Sequence, residues 1–114
     1  MFSITVRERF SAAHKLEGEP LHGHTWRVEV NVRLEKLNQK GMAIDFRILK
    51  GYLKAVISQI DHKYLNDLPF FKEREPTAEN IAVFIYQELK KRREVSSVTV
   101  FESEDAWATY YPEE

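Results

Sequence analysis

Two segments near the N-terminus alternate apolar and polar residues with a period of two. In the first, Ile4, Val6, Phe10, Ala12 and His14 share one parity, interrupted by Glu8. In the second, His22, His24, Trp26, Val28, Val30, Val32 and Leu34 share one parity, and Gly23, Thr25, Arg27, Glu29, Asn31, Arg33 and Glu35 fill the other. Residues two apart on a strand point to the same face, so each segment is expected to be a strand with one face on a core. Lys15 to Leu21, with Gly18 and Pro20, reads as the connecting loop. An antiparallel hairpin lays the end of its first strand beside the start of its second. His14, His22 and His24 are therefore expected to meet at one end of the sheet, on its apolar face.

The period then changes to that of a helix. Asn38-Gln39-Lys40-Gly41 ends the second strand, and Asp45 is the expected N-cap of a helix with the stripe Phe46, Leu49, Leu53, Val56 and Ile60. Gly51 weakens that helix by roughly 1 kcal/mol relative to alanine without breaking its periodicity. Asp61-His62 follows, then Leu65-Asn66-Asp67-Leu68-Pro69, which is loop chemistry. Thr77 is the expected N-cap of a second helix, with Glu79 in its first turn and Ile81, Phe84, Ile85 and Leu89 on its buried stripe. Lys90-Lys91-Arg92-Arg93 closes it as a solvated terminus whose charge suits the negative end of the helix dipole. Val95 to Phe101 and Ala106 to Tyr111, joined by Glu102-Ser103-Glu104-Asp105, read as a second hairpin. The order ββααββ predicts an α+β fold, a four-stranded antiparallel sheet with two helices on one face. Its edge strands need partners, which assembly into a trimer or larger ring would supply.

Composition narrows the chemistry. The 114 residues form a single domain, 1–114, and 43% apolar with 12% aromatic content is that of a globular chain. A net charge of -1 gives no reason to expect a nucleic-acid partner or an anionic membrane surface. The absence of cysteine excludes disulfides, thiolate ligands and a cysteine nucleophile. With no long apolar run, and Met1 leading straight into alternation, the expectation is a soluble cytoplasmic protein without a membrane partner.

Three imidazoles of matched parity, His14, His22 and His24, suit Zn²⁺ and leave a fourth position for water or substrate. Spacing alone does not name the metal, and a lone histidine there would read as an ordinary surface or capping residue. Asp61-His62 carries the elements of a general base with its orienting carboxylate. Adjacent residues do not face each other in regular structure, so that pair must sit in a turn or be held by tertiary contacts. Glu102 continues the face of Val98 and Val100 and needs a partner there, such as a ligand with a paired amide-type donor edge.

Six stretches, Phe10-Ser11-Ala12-Ala13-His14, Leu21-His22-Gly23-His24, Gly41-Met42-Ala43-Ile44-Asp45-Phe46, Asp61-His62-Lys63-Tyr64-Leu65-Asn66, Pro76-Thr77-Ala78-Glu79-Asn80 and Val100-Phe101-Glu102, stand in a familiar order. Along almost its whole length the chain resembles the 6-pyruvoyltetrahydropterin synthase and 6-carboxytetrahydropterin synthase family. The resemblance implies a tunnelling fold (T-fold), in which three subunits close their sheets into a barrel and two trimers stack as a hexamer. It also implies active sites at subunit boundaries and 7,8-dihydroneopterin triphosphate as substrate. By position it makes His14, His22 and His24 the zinc ligands and Asp61 and His62 the proton-transfer pair. Glu102 becomes the anchor for the pterin, with Thr77 as helper, while Arg9, Lys15 and Arg27 are candidates for the triphosphate.

One position departs from the family pattern. Members that release triphosphate carry a catalytic cysteine four residues before the first histidine of His-Gly-His, where this chain has Gly18. Glu19 stands three residues before His22 instead, giving Glu-x-x-His-Gly-His. This resembles a third subtype, in which a glutamate serves in place of the cysteine and the side chain is cleaved to 6-hydroxymethyl-7,8-dihydropterin, supplying folate synthesis. The alternatives are a 6-carboxytetrahydropterin synthase of the queuosine pathway, a 6-pyruvoyltetrahydropterin synthase, and a zinc-binding ring protein without activity.

Overall fold

A computed structural model describes residues 1–112. The chain runs β1 (Phe2–His14), β2 (His22–Leu34), α1 (Phe46–Ile57), β3 (Lys63–Tyr64), α2 (Ala78–Lys90), β4 (Ser97–Phe101) and β5 (Trp107–Tyr110). Strands β1, β2, β4 and β5 form the expected antiparallel sheet, in the order β1-β2-β4-β5. A fifth strand was not anticipated: β3 adds two residues parallel to β1 at Ala12 and Ala13. A two-residue strand has no periodicity to read, and only its position beside β1 makes it one.

Alternation becomes a core because every apolar residue of matched parity faces the helices. Val6, Phe10, Ala12, Trp26, Val28, Val30, Val32, Val98 and Val100 are buried on that face, against Leu49 and Leu53 of α1 and Ile81, Ile85 and Leu89 of α2. Glu8 interrupts the pattern, and its carboxylate turns to the rim, 3.6 Å from Lys50 Nζ and 3.8 Å from Lys54 Nζ on α1. Both helices start where the sequence places them. The Asp45 carboxylate accepts from the Arg47 N–H at 2.8 Å, and the Thr77 hydroxyl oxygen accepts from the Asn80 N–H at 3.1 Å.

Leu49, Leu53, Val56 and Ile60 of the expected α1 stripe are buried, and only its first residue departs. Phe46 remains exposed, Ile57 is buried, and Ile60 is buried in the turn beyond the helix. Periodicity defines a face but not where along the helix the core begins. The stretch expected as plain loop holds two short 3-10 turns, Leu65–Asp67 and Pro69–Phe71, which bury Leu65 and Phe71. No helix among the described residues is long and apolar enough to cross a membrane.

Candidate metal centre and active site

The register of the β1–β2 hairpin builds the site. His14 lies opposite His22, and Ala12 lies opposite His24, so three imidazoles on one face close the same end of the sheet. Because β4 pairs with β2 at Arg27–Phe101, the residue after Phe101 enters that end as well. The result is a cluster of His14, His22, His24 and Glu102 whose ligand atoms all lie within 4.8 Å of one another.

Two of the three rings are held by their far nitrogen. His14, fully buried, donates from Nδ1 to the Pro76 carbonyl at 2.8 Å, and His22 donates from Nδ1 to the Pro20 carbonyl at 3.0 Å. With the proton on Nδ1, each Nε2 of a neutral ring presents a lone pair. Yet the two Nε2 atoms stand 3.0 Å apart. Two acceptors that close repel unless a cation or a proton lies between them. His24 Nε2 is shielded from solvent and has no hydrogen-bond partner. Burial holds His24 below the ordinary imidazole value, and the neighbouring His22 and His14 rings add to this, while the Glu102 carboxylate pulls it back up. A neutral, partnerless imidazole nitrogen is what a metal ion requires.

The donor spacing agrees. Glu102 Oε2 lies 3.4 Å from His14 Nε2 and 3.6 Å from His24 Nε2. Ligands about 2.0–2.1 Å from a tetrahedral ion would stand about 3.4 Å apart. His14, His22 and His24, with Glu102 in the same group, therefore offer donors close enough to share a divalent metal. Glu102 stands beside them with its side chain 40% exposed.

The structure treats the other expected site residues unequally. Asp61 and His62 form a unit, with His62 Nδ1 3.1 Å from Asp61 Oδ1. They sit in the turn after α1, where His62 adopts φ +60, a left-handed conformation uncommon outside glycine. Tertiary bonds impose it: the Ser11 N–H donates to Asp61 Oδ1 at 2.9 Å, and the His62 N–H donates to the Ser11 carbonyl at 2.6 Å. The His62 ring itself is exposed and hydrogen-bonds to nothing in the cluster. Thr77 does not touch the cluster either, but the preceding carbonyl of Pro76 does, so the start of α2 supports His14. Glu19 is exposed in the loop after Gly18, a glycine at φ +80, and its backbone N–H donates to Leu16 at 3.1 Å.

Residues that the periodicity could not reveal complete the support. Asn66 pairs through its side-chain amide with both backbone groups of Lys15, at 2.8 and 2.7 Å, and ties down the chain leaving His14. Its only sequence signal was its place in the Asp61–Asn66 stretch.

Residues 3–113 match the family described as 6-pyruvoyl tetrahydropterin synthase. The chain belongs to that family. Among relatives of the 6-pyruvoyl tetrahydropterin synthase family, a putative 6-carboxy-5,6,7,8-tetrahydropterin synthase from Archaeoglobus fulgidus is 38% identical, over 92% of this chain and 91% of its own. A dihydroneopterin monophosphate aldolase from Pyrococcus furiosus is 40% identical, over 77% of this chain and 75% of its own. The fold is that of the Caenorhabditis elegans 6-pyruvoyl tetrahydropterin synthase, with a TM-score of 0.88 and 28% identity over 98% of this chain and 96% of that one. A Plasmodium vivax 6-pyruvoyltetrahydropterin synthase superposes with a TM-score of 0.77 and 25% identity over 99% of this chain and 98% of that one; it is a variant in which a catalytic glutamate is replaced by cysteine.

Proposed function

We propose that this protein is a zinc-dependent lyase that cleaves the side chain of phosphorylated 7,8-dihydroneopterin and releases 6-hydroxymethyl-7,8-dihydropterin, a product suited to folate supply. The phosphorylated form is the triphosphate on the family resemblance and the monophosphate on the name of the Pyrococcus relative. One observation carries the reading. Three imidazole nitrogens and Glu102 converge at one end of the sheet, in a chain that has Glu19 near the first site histidine of β2 and no cysteine. The catalytic glutamate of the Plasmodium protein supports the role given to Glu19.

When bound on His14, His22 and His24, the ion supplies Lewis acidity that makes a side-chain hydroxyl easier to deprotonate. Glu19 takes the proton of the C2′ hydroxyl, and the C1′–C2′ bond breaks as C2′ becomes an aldehyde. The electron pair left on C1′ delocalises into the dihydropterin ring, and C1′ then takes up a proton. Asp61 and His62 hold and deliver protons, with the carboxylate fixing the ring tautomer. The Glu102 carboxylate accepts from the 2-amino and ring N3 donors of the pterin. Thr77, whose oxygen already caps α2, keeps its hydroxyl hydrogen to donate.

The protein works as a homo-oligomer, a hexamer of two trimers. Supporting this, the edge of β1 facing away from β2, from Phe2 to Ser11, and the edge of β5 facing away from β4 have no strand partner among the described residues. A 6-carboxytetrahydropterin synthase is the second reading, favoured by the Archaeoglobus relative. Incubation of the zinc-loaded protein with 7,8-dihydroneopterin triphosphate and, separately, its monophosphate tests both, with products identified by mass. Release of 6-hydroxymethyl-7,8-dihydropterin is expected. Formation of 6-carboxytetrahydropterin from the triphosphate would move the assignment to the second reading. No turnover of either compound would reduce the protein to a metal-binding ring.

A further inference from the structure

A metal ligand needs its ring held at the right angle as well as at the right distance, and the three histidines are held differently. His14 and His22 each give their Nδ1 to a backbone carbonyl. Metal-ligating imidazoles almost always take their orientation from such a bond at the nitrogen away from the ion. His24 does not. Among the described residues, neither of its ring nitrogens makes a hydrogen bond. Across the hairpin, Ala12 lies opposite His24 and offers that ring only a methyl group.

What stands beside His24 is an indole. Trp26 lies two residues further along β2, on the same face, and is fully buried. Its ring packs at near right angles against both His14 and His24, with centroids 4.9 and 5.2 Å away and an interplanar angle of 83° in each case. At that angle the positive edge of one ring meets the negative face of the other, which favours one relative orientation over the rest. The indole is itself fixed. Its Nε1–H donates to the Ala12 carbonyl at 3.2 Å, and Phe10, opposite it across the hairpin, stacks on it at 5.9 Å with the two planes 4° apart. The His14 and His24 rings lie 5.2 Å from each other, so one rigid wall touches two of the three ligands.

We propose that Trp26 is a positioning residue of the metal centre, doing for His24 by ring packing what the Pro76 and Pro20 carbonyls do for His14 and His22 by hydrogen bonds. This rests on the metal site of the reading above, not on the reaction assigned to it. Membership of the core asks only for an apolar residue of that volume, and its loss lowers stability. Positioning asks for the ring, and its loss changes how tightly and in what geometry a metal is held.

Cobalt(II) is the probe, titrated into metal-free full-length protein, because its d–d absorption reports ligand geometry as well as occupancy. Trp26→Phe keeps an apolar aromatic residue but narrows the wall and removes the bond to Ala12. It should weaken cobalt binding by about ten-fold and alter the d–d bands, and Trp26→Leu, with no ring, should weaken it by up to about a hundred-fold. Val30→Ala makes a defect in the same buried face of β2, six residues or about 20 Å of strand from His24. It should lower the urea midpoint and leave cobalt affinity and bands as in the parent. Parent-like affinity and bands in Trp26→Phe overturn the positioning role, and so does an equal loss of affinity in Val30→Ala. A parent that binds neither cobalt nor zinc overturns the metal centre itself. Metal binding that depends on Trp26, in a protein that turns over no pterin, overturns the reaction and leaves the positioning role standing.

Discussion

At the residue scale, His24 gives the most direct tests. Its imidazole is held below the ordinary value of 6.5, chiefly by burial. As pH falls, the unfolded chain therefore takes up that proton before the folded one. The contribution to stability is complete above about pH 6.5 and is lost as pH drops through the lower folded value. Metal-free protein should show a urea midpoint that declines below that pH, and His24→Gln should flatten the decline; an unchanged slope would remove His24 from the account. His24→Ala should also lower zinc affinity by at least about a hundred-fold, measured by competition with a chelator. Glu19 behaves differently, because it lies outside the ligand cluster. Glu19→Gln should keep stoichiometric zinc while turnover falls by about a hundred-fold or more.

At the element scale, the two helices differ in what they do for the site. The first turn of α2 is tied to the histidine cluster, because Thr77 caps the helix while the preceding Pro76 carbonyl holds His14. Thr77→Ala should cost about 1 kcal/mol of stability and also weaken zinc binding, whereas Thr77→Ser should preserve both. If zinc affinity is untouched by the alanine, the cap and the centre are independent. By contrast, α1 is a packing element joined to β1 through the core and the Glu8–Lys50–Lys54 cluster. At its Gly51, an added Cβ would meet nothing within 4 Å. Gly51→Ala should accordingly raise stability by about 1 kcal/mol in urea unfolding, with activity unaltered.

For the whole molecule, the long hairpin sets the shape. The chain measures 51 × 28 × 27 Å, since β1 and β2 run 13 residues each while β4 and β5 span only 5 and 4. Among the described residues β3 covers the outer β1 edge only at Ala12 and Ala13, and the exposed apolar residues Phe2, Phe46, Ile48 and Trp107 add area for a neighbour to cover. Sedimentation should give a multiple of the 13.5 kDa chain mass, with six as the expected number. A monomer at micromolar concentration would leave these edges unexplained.

Much of this was legible in the sequence because the information is local. Period-two alternation assigns His14, His22 and His24 to one face whatever the rest of the chain does, and hairpin geometry then brings them to one end. Asp45 and Thr77 announce their helices because a cap acts within three residues. The supporting contacts were not legible, since they join positions 50 to 62 apart: Ser11 with Asp61, Lys15 with Asn66, His14 with Pro76. No pattern along a chain encodes which distant carbonyl will face an imidazole. The same holds for the approach of Glu102 to His14 and His24 and for the two-residue β3. The sequence by itself determined which residues share a face. Only the tertiary structure, by setting the register between strands, decided which of them meet.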